Sequence, residues 1–132
     1  MREKDHAALD PAEPVNTVTL VGRVSAVPES RELPSGAALA TFRLIVARPS
    51  ERRGGSSPSV ERRRVDVVDI ACWSARSRRS ATRLEADAVV RVDGALRRRF
   101  FRTGGGTASR YEVEATSVRR IRSAERRGAS PP

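Results

Sequence analysis

Between residues 15 and 122, apolar and polar side chains alternate in a series of short stretches, the signature of half-buried strands. In "NTVTLVGRVSAV" the residues Val18, Leu20 and Val24 fall on one side, with Thr19, Arg23 and Ser25 mostly on the other. Gly22, in mid-strand, predicts a bulge or a sharp coil. "PESRELPSG" reads as a loop with Pro34 and Gly36 as turn residues. In the second strand, "AALATFRLIVAR", Phe42, Leu44 and Val46 share a face. "PSERRGGSSPS" has nothing to pack and reads as a mobile hairpin loop.

The third strand is "RVDVVDIACW". A period of two places Val68, Ile70 and Cys72 on one face and Val67, Asp69, Ala71 and Trp73 on the other. The first set is the cleaner apolar one, so Cys72 is expected inside and Trp73 outside. Ser74 is a suitable N-cap for a short helix, "ARSRRSATRLEA", ending near Asp87, with a thin apolar stripe of Ala75, Ala81 and Leu84. The fourth strand, "AVVRVDGALRRRFF", sets Val90, Val92, Gly94 and Leu96 against Arg91, Asp93, Ala95 and Arg97. "RTGGGTAS" reads as a loose connection to a fifth strand, "RYEVEATSVRRI". Three strands, a helix and two strands, with a glycine inside strands one and four, predict an all-β fold. The expected form is a five-stranded closed barrel of the oligonucleotide-binding (OB) type, with its one short helix between strands three and four. Residues 1–14 read as a flexible leader, 15–122 as the domain and 123–132 as a short polar tail.

Charge narrows the partner. The 132 residues carry 26 basic and 16 acidic side chains, a formal net charge of +10, and Lys4 is the only lysine. Such a balance favours a polyanion, because each neutralised phosphate releases condensed counterions. Cys72 is single, which excludes a disulfide framework within the chain and a cysteine metal cluster. His6, the only histidine, lies in the polar leader, so no metal, cofactor or acid–base constellation is expected. With no membrane-length apolar run and no secretory signal core, a soluble, cytoplasmic protein is expected, and nucleoid association would follow only from a DNA partner.

The same parity marks a candidate surface. Past Leu96 the core set of the fourth strand runs on to Arg98 and Phe100, the outer set to Arg97, Arg99 and Phe101. Strands three and four therefore both end with an outward aromatic, Trp73 and Phe101, while Phe100 is expected inside. Arginines with spaced rings suit a flexible single strand: guanidinium groups hold phosphates and rings stack on unpaired bases. Arg97, Arg99, Arg102 and Arg110, with Arg43 and Arg48 of the second strand, complete the candidate DNA-binding set. Two other placements remain open here, Phe101 as core and Trp73 as a plug for the open end of the barrel.

"NTVTLVGRVSAVPESRELPSGAALATFRLIVAR", the strand ending in Trp73 and "VVRVDGALRRRFF" resemble, in order and spacing, the bacterial single-stranded DNA-binding protein family. The resemblance covers residues 15–122. It implies an OB barrel that assembles as a homo-oligomer, a tetramer or dimer, and coats single-stranded DNA in replication, repair or recombination. By position it implies base stacking at Trp73 and Phe101 and groove contacts at Arg97 and Arg99. Two further stacking positions of the family fall near Ser50 and at Val67, where this chain has no ring. Arg76, Arg79 and Arg83 stand where the family helix is apolar, and "RRGASPP" stands where the family has an acidic tail. A short accessory paralogue that does not recruit repair enzymes through such a tail is the corresponding expectation.

Two rival readings accompany this one: an RNA-binding barrel, and a degenerate barrel that serves protein assembly. An enzyme is not expected. Asp66, Asp69 and Asp93 suggest a metal-dependent nuclease only superficially, because Asp66 lies on the opposite parity from Asp69.

Overall fold

The computed structural model describes residues 12–49 and 64–123. The elements are β1 (Val18–Val24), β2 (Glu29–Glu32), β3 (Ala38–Ala47), β4 (Val65–Cys72), α1 (Ala75–Thr82), β5 (Val89–Thr103) and β6 (Gly106–Arg122). Antiparallel pairs join β1 to β5, β5 to β6 and β3 to β4, and a parallel pair of Ile70 with Val113 and Ala71 with Glu114 joins β4 to β6. β1 then crosses to β3, with Arg23 opposite Ile45 and Val24 opposite Leu44, and this contact closes the barrel.

Closure depends on two glycines. At Gly22, where β1 leaves β5 for β3, an added Cβ would lie 2.4 Å from the Ile45 carbonyl oxygen. At Gly94 it would lie 2.0 Å from the Glu114 carbonyl oxygen. The β5–β6 register shifts between Asp93 and Gly94, passing from Ser117 to Ala115 and leaving Thr116 as the extra residue of a bulge. Both glycines therefore serve the tight coiling expected of them, through direct backbone approach.

The core is the set the alternation selected in β1, β3, β4 and the first half of β5. Val24, Phe42, Leu44, Ile70, Cys72, Val90 and Val92 are buried together, and Val18, Leu20, Val46 and Val68 pack against them. Burying one such side chain stabilises the fold by about 1.5–3 kcal/mol. Cys72 is fully buried, and burial pushes its thiol up to about 11, only partly offset by a hydrogen bond with Ser77. Ser74 caps α1 as expected, its hydroxyl accepting from the Ser77 amide at 3.0 Å. Ala81 is buried with the core, while Arg76, Arg79 and Arg83 are exposed. Among the described residues, no helix is long and apolar enough to cross a membrane.

Four expectations change. "ESRE", expected in a loop, forms β2 against β3; all four residues are exposed, so no apolar alternation marks the strand. α1 ends at Thr82 because the following segment binds β1 instead: the Val24 amide donates to Ala88 O and the Asp87 amide to Val24 O. "RTGGGTAS" is no loose connection, since the ladder continues through Phe101 opposite Ala108 and Thr103 opposite Gly106 around a turn at Gly104 and Gly105. Finally, β5 and β6 outrun the barrel as a two-stranded arm. Parity persists there but, among the described residues, no second layer covers it, so Leu96 is 45% exposed and Phe100, expected inside, is 64% exposed. Residues 1–11 of the leader, the stretch 50–63, which includes Ser50, and residues 124–132 of the tail lie outside the described residues.

Candidate nucleic-acid interface

The outer parity of the sheet brings most of the selected residues onto one surface. β5 supplies Arg97, Arg99 and Phe101. Opposite them β6 supplies Glu112, Arg110 and Ala108, while Trp73 follows β4 directly. The Arg99 guanidinium carbon lies 5.1 Å from the centre of the Trp73 ring, and that of Arg110 lies 5.7 Å from the centre of Phe101. Both distances are in cation–π range, so each ring arrives with a cation on its face. Phe101 is 43% exposed, and Trp73 is partly buried. Trp73 is therefore neither a core residue nor fully displayed. Val67, the ringless position on the same face, is exposed.

Carboxylates hold several of these arginines in place. Arg97 pairs with Glu114 at 2.8 Å, Arg99 with Glu112 at 3.5 Å, and Arg43 with Asp69 at 3.2 Å. The Arg97–Glu114 and Arg43–Asp69 pairs are exposed, and pairs of that kind are worth about 0–1 kcal/mol, so a phosphate can replace either carboxylate at little cost. Arg48 stands apart. It continues the parity of Leu44 and Val46, away from Arg43, and Asp66 engages it through both Nε and Nη2. The Asp66 carboxyl is held below the usual carboxylate range, first by that hydrogen bond. Arg102, opposite Thr107, falls on the other face of the arm from Phe101.

Glu112 is the buried acid of this surface. It is 8% exposed, and its Oε2 has no hydrogen-bond partner although Arg99 lies at 3.5 Å. Burial pushes its carboxyl above the usual range, against the pull of Arg99 and Arg110, and Asp69 and Glu114 push it the same way. An acid raised in the folded state contributes stability that is fully present below its unfolded value, about 4.3, and lost as pH rises through the folded one. Glu112→Gln is accordingly expected to be at least as stable as the natural chain at pH 7. That advantage should vanish on acidification to about pH 4, as read by chemical denaturation at the two pH values. A variant clearly less stable at pH 7 would show that the Arg99 pair outweighs the burial cost.

The three aspartates of the nuclease idea are dispersed: Asp66 binds Arg48, Asp69 binds Arg43, and Asp93 binds Arg91 at 3.0 Å. Among the described residues, no three His, Cys, Asp or Glu side chains cluster as metal ligands would. Parity missed a different group. Arg98, Phe100 and Tyr111 meet on the second face of the arm, because Arg98 pairs with Tyr111 across the ladder. Reading Gly104 and Gly105 as a two-residue hairpin loop would have revealed that pairing.

A closed five-stranded barrel, a capping helix after the third barrel strand and an open face of rings and arginines define an oligonucleotide-binding barrel protein. The profile of the Single-strand binding protein family matches residues 15–121, and the chain belongs to that family. It is 34% identical over 105 residues to the Single-stranded DNA-binding protein A of Bacillus subtilis (strain 168), covering 79% of this chain and 58% of that one. It is 32% identical over 105 residues to the Single-stranded DNA-binding protein of Oceanobacillus iheyensis, covering 79% of this chain and 62% of that one. The chain thus spans about three fifths of the length of these curated relatives. Among solved structures, a Plasmodium falciparum SSB complex with ssDNA has the same fold, with a TM-score of 0.63 at 20% identity over 83% of this chain and 96% of that one.

Proposed function

We propose that this protein binds single-stranded DNA without strong sequence preference and acts by coating it, not by catalysis, during replication, repair or recombination. The observation that carries this reading is the pairing of Trp73 with Arg99 and of Phe101 with Arg110 on the outer parity of the sheet, from the barrel out onto the arm. Each ring can take a base while its arginine turns to the adjacent phosphate, and every base has a face to stack, so no sequence is selected. Duplex DNA hides those faces. Arg43 and Arg97 extend the phosphate path along the sheet, whereas Arg102 lies on the opposite face of the arm and is given no contact on this one. Arg48, bound to Asp66 on the opposite parity, is given no contact. Membership of the family and the names of its relatives support the same partner. A homo-oligomer in the cytoplasm, associated with the nucleoid, goes with this role, and sedimentation of the purified chain tests the assembly.

The test is a titration against single-stranded DNA, duplex DNA and RNA of equal length across a range of salt. Single-stranded DNA should bind most tightly. Log affinity should fall with log salt at a slope of about −3.5, from roughly −0.7 for each of about five neutralised phosphates. A flat salt dependence would remove the electrostatic path. Preference for RNA would favour the RNA-binding barrel, and absence of nucleic-acid binding at every salt concentration would leave the assembly subunit.

A further inference from the structure

We propose that the β5–β6 arm carries a second binding face for single-stranded DNA, opposite the Trp73–Phe101 face and built on Arg98, Phe100 and Tyr111. This rests on the single-strand reading above. Leu96, Arg98, Phe100 and Arg102 follow one parity along β5, with Tyr111 and Ser109 opposite Arg98 and Phe100 on β6. Phe100 and Tyr111 are 64% and 58% exposed, and the Arg98 guanidinium lies 5.0 Å from one ring centre and 5.6 Å from the other. Its Nε and Nη2 donate to the Ser109 hydroxyl, a neutral partner.

Charge distinguishes the two faces. On the first, Glu112 and Glu114 already hold Arg99 and Arg97. On the second, the arm positions 96, 98, 100, 102, 107, 109 and 111 include no acid. Arg98 and Arg102 have no ion-pair partner among the described residues, and their charge is left for an outside anion. Exposed rings beside uncompensated arginines fit a chain that alternates phosphates with stackable bases. A second copy of this face fits less well, since it would bring arginines against arginines. At the tip between the faces, Gly104 and Gly105 carry no side chain and have nothing near their Cβ positions.

The test pairs the natural full-length chain with Phe100→Ser/Tyr111→Ser, two changes at exposed positions. Photocrosslinking of an iodouracil-substituted oligonucleotide to the natural chain should mark Phe100 or Tyr111 as well as Trp73 or Phe101. The double variant should lose at least about thirtyfold in affinity for the same oligonucleotide, as expected for two lost stacks, while Trp73 emission is still quenched at saturation. Crosslinks confined to Trp73 and Phe101, with unchanged affinity in the variant, would overturn the second face. Unchanged affinity with weakened self-association would overturn it too and identify a protein interface. Failure of the natural chain to bind any single strand would remove the primary reading and this one with it.

Discussion

Trp73→Ala/Phe101→Ala is expected to lose about 2–6 kcal/mol of single-strand affinity, twice the 1–3 kcal/mol typical of one base–aromatic stack. At 1.4 kcal/mol per decade, that is roughly thirtyfold to 10⁴-fold. Each single variant should give about half the effect in free energy. Neither ring is in the core cluster, so the fold should survive both changes. Trp73 is the only tryptophan, which makes its emission a clean reporter: DNA should quench it in the natural chain and in Phe101→Ala at saturation. Losing both rings also releases Arg99 and Arg110 from their cation–π contacts, so the salt slope should persist while affinity falls. Unchanged affinity in the double variant would show that the rings serve structure alone. Unfolding of Trp73→Ala would show that its partly buried ring plugs the barrel.

Gly94→Ala should have the largest effect on folding. Overpacking typically costs about 1–3 kcal/mol, and here the clash is with backbone: the new Cβ would meet the Glu114 carbonyl oxygen at 2.0 Å. Relief requires β5 and β6 to part at their bulge, beside the Val92–Val118 and Leu96–Val113 pairs. A loss at or above the upper end of that range is expected, out of the roughly 5–15 kcal/mol that holds a domain together. Gly104→Ala is the control. Nothing lies near its Cβ position, so it should stay within about 0.5 kcal/mol of the natural chain. Equal melting of the two variants would mean that the bulge has room the structure does not show.

Alternation failed first at Phe100. Its parity matches Val90 and Val92, and inside the barrel that parity means burial. The β5–β6 arm continues past the point where other strands cover it, and a one-dimensional period carries no information about where the second layer ends. β2 was missed for the complementary reason. "ESRE" is exposed on every residue, and only its pairing with Thr41, Ala40, Leu39 and Ala38 makes it a strand.

The order of barrel strands, the Ser74 cap, the inward Cys72 and the need for Gly22 and Gly94 were legible from sequence alone. Each follows from local chemistry: side-chain period, capping hydroxyls and the missing Cβ. Trp73 and Phe101 on a common arginine-bearing face were legible by the same period, and the formal net charge of +10 is read from composition. Only the tertiary structure decided which charges are already matched. Arg43 pairs with Asp69 and Arg97 with Glu114 because strands distant in sequence lie side by side. Glu112 is buried and Arg98 lies between two rings for the same reason. Counting charges cannot separate a paired arginine from an available one, because pairing depends on the through-space distances that strand register sets.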